Sequence, residues 1–391
     1  MRICLIHQYY KTPETGGAIR SYYIAKYLYE QGHDVTVITA RNNKAYTVEE
    51  DLGFEVHSLP IYYENHLSFF SRIHAFILFV WATNRLLKKL PRFDLNYVIS
   101  TPLSTALIAL KAKKRFGTPY IFEVGDLWPE APIQLGVIRN PFLKSIALKL
   151  EKRAYKNASK IVALSEDIKA AIHRKAPEKD IEIITNFADV DFFESEVKKA
   201  EYLKQYNVEN KFVISYLGTV GMANELEYLI NIADAARSIE KLHFFVVGGG
   251  AHFEQIMSIA DLKGLKNITF DNQVDKYEIR KILNITDAIY VSFKNVPVLA
   301  TGSPNKFFDG LAAGKLIAIN FKGWVKKLIE NHDCGFYHNP DQPKEFLEKL
   351  TPYLEDGNKL EQSKLNSRKL AAEFSLQSQL PKLDQVIKDL H

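Results

Sequence analysis

The sequence predicts an α/β protein of two domains in tandem, each a doubly wound, mostly parallel sheet, with the two facing a central cleft. Three observations carry that expectation. The chain has 391 residues, more than one hydrophobic core usually serves, so two domains of roughly 150–200 residues each are expected. Short apolar runs alternate with helical patterns along its length, the rhythm of a parallel sheet. That rhythm pauses at Asn186-Phe187-Ala188-Asp189-Val190-Asp191-Phe192-Phe193, which reads as a linker, and then restarts.

In the first half, apolar runs at 2–8, 35–39, 54–58, 95–100, 119–124, 160–164 and 181–185 predict strands. Patterns of helical period at 17–31, 103–116 and 140–157 predict helices between them. In the second half, strands are predicted near 212–217, 242–247, 268–270, 287–292 and 316–320. The domains are drawn as 1–190 and 191–374. A further helix at 377–390 follows the second domain, and the tail 375–391 is expected to pack back on the first. A ligand belongs in the crevice at the carboxyl ends of the strands.

Composition narrows the class. Hydrophobic residues make up 47% and charged residues 25%, a globular rather than a disordered balance. Cys4 and Cys334 stand far apart, which argues against a disulfide framework or zinc site and fits a reducing compartment. The opening Met1-Arg2-Ile3-Cys4-Leu5-Ile6-His7 is too short for a signal peptide, and no run of 18 uncharged apolar residues occurs. A cytoplasmic protein is expected. Residues 1–190 carry 26 Lys and Arg against 19 Asp and Glu, while residues 191–391 carry 25 against 27. The basic first half suits an anionic partner or is simply a solvated face; no nucleic-acid recognition motif accompanies it.

Three glycine turns follow predicted strands. They are Thr15-Gly16-Gly17, with Arg20 opening the next helix; Leu217-Gly218-Thr219-Val220-Gly221-Met222-Ala223-Asn224; and Val246-Val247-Gly248-Gly249-Gly250-Ala251-His252. Glycine lets a backbone approach a ligand closely, and a helix N-terminus offers free N–H groups to an anion. None of the turns ends in Gly-Lys-Ser/Thr, and Gly218 and Gly221 have the wrong spacing for a dinucleotide fingerprint. Gly-x-Ser-x-Gly and HEXXH motifs are also missing, and no carboxylate pair is placed for glycoside hydrolysis.

The most informative stretch is Thr301-Gly302-Ser303-Pro304-Asn305-Lys306-Phe307-Phe308-Asp309-Gly310-Leu311-Ala312-Ala313-Gly314-Lys315. Ser303 suits an N-cap and Pro304 a first helical residue, with a stop near Gly314. Lys306 in the first turn opposes the helix dipole, which makes sense if an anion such as a diphosphate shares the spot. Asn305, Lys306 and Asp309 lie near one face, and a carboxylate there accepts from the vicinal hydroxyls of a ribose. A capped amphipathic helix with a surface Lys–Asp pair fits the same residues.

That block resembles the donor-binding helix of family 4 retaining glycosyltransferases. Gly218-Thr219-Val220-Gly221-Met222-Ala223-Asn224 resembles their diphosphate loop. Glu123-Val124-Gly125-Asp126-Leu127-Trp128-Pro129-Glu130 and the opening Ile6-His7-Gln8-Tyr9-Tyr10 through Gly16-Gly17 to Arg20-Ser21-Tyr22 resemble a bacterial surface-polysaccharide branch that includes N-acetyl-L-fucosamine transferases of O-antigen and capsule assembly. The resemblance implies the GT-B fold, two Rossmann-like domains with a nucleotide-sugar donor (UDP by family habit) on the second and a glycan or lipid-linked acceptor on the first. It implies retention at the anomeric carbon, no metal and no other cofactor. By matching position Asp309 holds the donor ribose and Lys306 faces the diphosphate. Thr301 stands where the family's first acid falls, and Gly125 where this branch more usually has arginine.

The expected site follows. Lys306, Asp126 and Glu130 are the candidate catalytic residues. Gly16, Gly17, Gly218, Thr219, Gly221, Gly249, Val274, Ser303, Asn305, Lys306 and Asp309 are the candidate donor-side residues. Asp126 and Glu130 follow a strand end facing the cleft and could orient either sugar. His7, Arg20 and Trp128 are assigned to the acceptor side, although Trp128 also reads as a core residue. Asp189-Val190-Asp191 spells a metal-holding pattern of other transferases but lies in the linker. Two alternatives stay open: a UDP-sugar 2-epimerase and a degenerate nucleotide-binding protein.

One partner is suggested by residues 67–90, where the apolar, aromatic run from Ile73 to Ala82 is flanked by Arg72, Arg85, Lys88 and Lys89. It is too short and charged to span a bilayer but suits an anionic membrane surface on the inner face of the cytoplasmic membrane. Lys111, Lys113, Lys114 and Arg115, within 111–115, add a second basic cluster. A core helix with snorkelling ends reads equally well.

Overall fold

The computed structural model describes the chain apart from Gly16, Ala18, Asn65, His66, residues 194–196 and His391, and apart from the side chain of Phe69. Gly16, expected on the donor side, therefore lies outside the described residues.

Two sheets organise the molecule. The first holds β1 (Arg2–Ile6), β2 (Asp34–Arg41), β3 (Thr47–Asp51), β4 (Phe54–Pro60), β5 (Leu95–Ile99), β6 (Tyr120–Val124), β7 (Lys160–Ala163) and β8 (Ile181–Ile183). Its order is β3-β4-β2-β1-β5-β6-β7-β8, with only β3 antiparallel to its neighbour. The crossovers run through α1 (Arg20–Glu30), α2 (Phe69–Leu86), α3 (Thr105–Phe116), α4 (Glu130–Gln134), α5 (Pro141–Asn157) and α6 (Glu166–Lys175). Strands β1, β5 and β6 are almost wholly buried, as strands covered on both faces must be. One face packs on α2, α3, α5 and α6, the other on α1.

After the linker and the short α7 (Ala200–Gln205), the second sheet is laid down as β9 (Phe212–Thr219), β10 (Leu242–Gly249), β11 (Ile268–Asn272), β12 (Ala288–Val291), β13 (Leu316–Ile319) and β14 (Gly335–Tyr337). It is parallel throughout, in the order β11-β10-β9-β12-β13-β14. Helices α8 (Glu227–Ala235), α9 (Phe253–Leu262) and α13 (Pro343–Glu355) cover one face; α10 (Lys276–Ile285), α11 (Asn305–Ala312), α12 (Trp324–Asn331) and α14 (Gly357–Glu373) cover the other.

The chain ends in α15 (Leu376–Gln379) and α16 (Lys382–Lys388). Leu383, Val386 and Ile387 of α16 join the first-domain core beside α1. The Tyr27 hydroxyl donates to Asp384 at 2.8 Å, and Lys160 pairs with Asp389 at 3.0 Å. The C-terminal segment therefore returns to the first sheet.

Both sheets reverse direction beside their first strand, between β1 and β5 and between β9 and β12. The crevice at such a switch point, outside the carboxyl ends of the strands, is where this class of sheet holds its ligand.

Candidate active site

The turn after β9 sits at the second switch point. Gly218 has a φ of +123°, a region that favours glycine. A Cβ placed on Gly248 would lie 1.8 Å from the Gly218 carbonyl oxygen, so the two strand ends approach as only glycine allows. The Val220 amide donates to Gly249 O at 2.8 Å and the His252 amide to Val220 O at 3.1 Å, fastening the two glycine turns together. Gly249 faces open space. The Tyr216 hydroxyl donates to Thr219 O at 2.6 Å, and the Tyr216 ring carries the Lys306 ammonium 3.7 Å from its centre.

Helix α11 brings Asn305, Lys306 and Asp309 to the same cleft while burying Phe307, Phe308, Leu311 and Ala312. The sequence suggests Ser303 as its cap. Instead Pro304 holds the cap position without a side-chain cap bond. Ser303 Oγ accepts from the Asn186 amide at 3.4 Å, and Ser303 O accepts from Asn186 Nδ2 at 2.5 Å. The linker has claimed the serine, so the first amides of α11 are left to other partners. Lys306 has no ion pair among the described residues; its Cε lies 3.6 Å from where a Gly218 Cβ would stand. Burial pulls its amine down to about 7. Asp309 is pushed up to about 7, chiefly by burial, with Lys276 opposing and Asp189 adding to the rise.

A cavity of about 620 Å³, including its open mouth, lies between the domains. Gly17, Ile19, Arg20 and Tyr23 line it from the first domain, and Val274, Lys276, Ile279, Asn305 and Asp309 from the second. Asn186, Phe187, Asp189 and Phe193 of the linker complete it. Tyr23, Asp189 and Lys276 form a clamp across it. The Tyr23 hydroxyl donates to Asp189 at 2.6 Å, and the Lys276 ammonium donates to Tyr23 at 2.6 Å and to Asp189. The ammonium also sits 4.2 Å above Phe192. Asp191 accepts from Gln377 at 2.7 Å, so the two carboxylates of the Asp-x-Asp pattern are tied to separate partners.

The first-domain candidates are placed unevenly. His7 is buried, with Nδ1 2.8 Å from Ser21 Oγ, and burial pushes its imidazole down to about 3, which keeps it neutral. Arg20 lines the cavity, yet its guanidinium is engaged internally. It pairs with Glu123 at 2.9 and 3.0 Å, donates to Ile184 O at 2.9 Å and to Thr185 O, and lies 4.7 Å over Phe187. Arg20, expected on the acceptor side, thus lines the cavity with its guanidinium tied to β6 and to the two residues that follow β8. Asp126 is exposed, and its carboxylate has no partner among the described residues. Glu130, a catalytic candidate alongside Asp126, is engaged elsewhere. It is ion-paired with Lys175 of α6, which also holds Glu151 at 2.7 and 2.8 Å. Trp128 is half-buried, edge-on to Phe76 of α2 at 6.5 Å. Thr301 donates to Val298 O at 2.7 Å and its carbonyl accepts from Ser165 at 2.7 Å, a contact between domains.

Tyr23 and Lys276 escape a reading of the sequence. They stand 253 residues apart, in no shared motif, and Lys276 reads as an ordinary first-turn residue after the Asp275 cap. The tyrosine pair beside the first glycine turn is the one hint.

Residues 15–186 match the Glycosyl transferase 4-like domain, and residues 198–370 match Glycosyl transferases group 1. Together the two matches take in nearly the whole chain, which belongs to the glycosyltransferases built from this domain pair. Alpha-D-kanosaminyltransferase of Streptomyces kanamyceticus is 20% identical over 256 residues, 63% of this chain and 64% of that enzyme; the chain thus spans less than two thirds of that relative's length. Sucrose-phosphate synthase from Thermosynechococcus elongatus has a TM-score of 0.79 at 16% identity, over 100% of this chain and 98% of that one. Anabaena HepE, solved in complex with UDP-glucose, has a TM-score of 0.72 at 16% identity, over 99% of each chain. At such identities the likeness shows the fold, which is GT-B.

Proposed function

We propose that this chain transfers a sugar, with retention, from a uridine diphosphate donor to a glycan or lipid-linked acceptor in bacterial surface-polysaccharide assembly, O-antigen or capsule, without a metal or other cofactor. The observation that carries the reading is Lys306. Its amine stands at the start of α11 against the Gly218 turn, burial pulls it down to about 7, and no carboxylate among the described residues neutralises it. A cation so placed is best satisfied by a diphosphate.

As the glycosidic bond to the donor breaks, negative charge grows on the leaving diphosphate. Lys306, the Asn305 and Lys306 amides that open α11, and the amides of Gly17 and of the 218–221 turn other than Val220, which is bonded to Gly249 O, are assigned as donors to that charge as it develops. Asp309, one turn along α11, accepts from the ribose hydroxyls, with Asn305 beside it. Val274 and Ile279 offer an apolar wall to the base. Asp126, exposed and without a partner among the described residues, is assigned to the acceptor or donor sugar. His7 and Trp128 are assigned to the acceptor side, and Glu130 is reassigned to holding α4 on α6. On the first domain, α2 and the 111–115 cluster are assigned to an anionic inner-membrane surface, which supports a lipid-linked acceptor.

The test is turnover with a set of UDP-sugars and a lipid-linked acceptor extract, with and without chelator. Acceptor-dependent UDP release that survives chelation, with the donor's anomeric configuration kept in the product, is the expected result. Conversion of a UDP-sugar without acceptor would replace this reading with 2-epimerisation, and no turnover with any donor would leave a nucleotide-binding protein.

A further inference from the structure

Helix α11 carries Lys306 and Asp309 towards the cleft, and just past its other end the chain reaches Lys315. Lys315 immediately precedes β13, as Asp287 precedes β12, and Val213 lies near the start of β9. These residues stand at the amino ends of parallel strands, the end of the second sheet opposite the cleft. The Leu316 amide donates to Asp287 O at 3.0 Å, and the Lys315 carbonyl accepts from Ser367 of α14 at 2.7 Å.

Lys315 is 5% exposed, and lysine is seldom buried so fully unless it is paired. Among the described residues its ammonium has no hydrogen bond and no ion pair. Burial pulls it down to about 7, with Lys364 adding to the fall and Asp287 opposing it. Two further lysines surround the same acid. Lys198, ahead of α7, donates to Asp287 Oδ2 at 2.5 Å, and Lys364 of α14 lies 3.5 Å from Oδ1. The Val213 amide also donates to Oδ2, at 2.9 Å. Asp287 is therefore fully engaged without Lys315. The other acid in range, Glu361, is 67% exposed and pairs with Lys364 at 2.9 Å. Three ammoniums thus face two carboxylates, and the one left over is the most deeply buried.

A buried ammonium is costly unless an anion meets it. Lys198 and Lys364 are 26% and 17% exposed, so the cluster opens to solvent along their side chains. Lysine binds phosphoryl oxygens as a point charge, and a tetrahedral oxyanion offers acceptors to several ammoniums at once. We propose that Lys198, Lys315 and Lys364 form a site for a phosphate-type oxyanion, at the end of the second sheet opposite the donor cleft. The ligand is inorganic phosphate or the phosphoryl group of a small metabolite. Bound there, it joins the segment before α7, the start of β13 and α14, which are far apart in sequence.

The experiment is thermal unfolding of the full chain titrated with inorganic phosphate or methyl phosphate, against chloride at equal ionic strength. Binding to the native state raises the melting temperature and levels off as the site fills, whereas the general stabilising effect of phosphate does not level off. Wild type and Lys306→Ala are expected to show the same saturable rise, about 2 °C or more, which separates this site from the donor cleft. Lys315→Met is expected to lose the rise and, in chloride, to melt no lower than wild type, because a thioether replaces an unpaired ammonium. Lys364→Gln is expected to weaken phosphate binding about tenfold or more, and it carries the test if Lys315→Met does not fold. An equal rise with methyl phosphate extends the site to phosphorylated metabolites; a rise with inorganic phosphate alone assigns it to the free ion. The assignment is overturned if chloride stabilises wild type as well as phosphate does, if the rise does not saturate, or if it is undiminished in Lys315→Met or Lys364→Gln. A rise lost in Lys306→Ala and kept in Lys315→Met also overturns it, and gives the phosphate to the donor cleft.

Discussion

Lys306 and Asp309 stand three residues apart on α11 with opposite charges and do not pair; burial holds both near neutrality. The lysine's value is depressed, so in the empty cleft it is charged only below about 7. The aspartate's is raised, so it is ionised only above about 7. Binding needs the charged form of each, since the diphosphate favours the ammonium and the ribose hydroxyls the carboxylate. UDP affinity measured by calorimetry across neutrality should therefore peak near pH 7 and fall on both sides, and Asp309→Asn should flatten the acid limb. A monotonic profile in the wild type would contradict the assignment. In turnover, Lys306→Ala should lower kcat/KM by about 10²- to 10³-fold, as for loss of one aimed donor. At this scale the sequence is legible where chemistry repeats in a local pattern. Asn305, Lys306 and Asp309 stand on one short segment, whereas the Tyr23–Asp189–Lys276 clamp joins three segments with no local signal. What engages Glu130 and Arg20 has no local signal either, because their partners, Lys175, Glu123 and the carbonyls of Ile184 and Thr185, are distant in sequence.

Among elements, most of the strands that sequence reasoning finds are buried on both faces, as β1, β5, β6, β12 and β13 are, although β11 is found at an edge where only Ile268 is buried. Strand β3, Thr-Val-Glu-Glu-Asp, escapes because it is an exposed, acidic edge, and β14 escapes because three residues make no pattern. The glycine turns give the sharpest prediction. At Gly248 a methyl group would meet the Gly218 carbonyl, so Gly248→Ala should destabilise by about 3 kcal/mol in denaturant unfolding. Gly249→Ala, with nothing within 4 Å of its Cβ, should change stability by less than about 1 kcal/mol. Equal effects would mean that the two strand ends are not packed as described.

For the whole molecule, the doubled α/β rhythm is enough to predict two facing sheets, because each helix and strand carries its own burial pattern. How the domains are fastened is not, since those contacts join distant segments by single bonds and side chains: Asn186 to Ser303, Ser165 to Thr301, Lys276 to Tyr23 and Asp189, and Val298 buried in the first-domain core. Helix α16 adds an apolar fastening. Leu383 is wholly buried in the first-domain core, and Leu383→Ala should cost about 2–5 kcal/mol, read from thermal or denaturant unfolding. A near-neutral effect would mean that the tail is dispensable to that domain.

The account turns on one claim, that α11 and the Gly218 turn form a diphosphate site served by Lys306. Titration calorimetry of UDP against wild type, Lys306→Ala and Asp309→Ala tests it most directly. Saturable binding to wild type, weakened about tenfold or more in each variant, is the predicted result. Absence of UDP binding at millimolar concentration, or equal affinity in all three proteins, would contradict it.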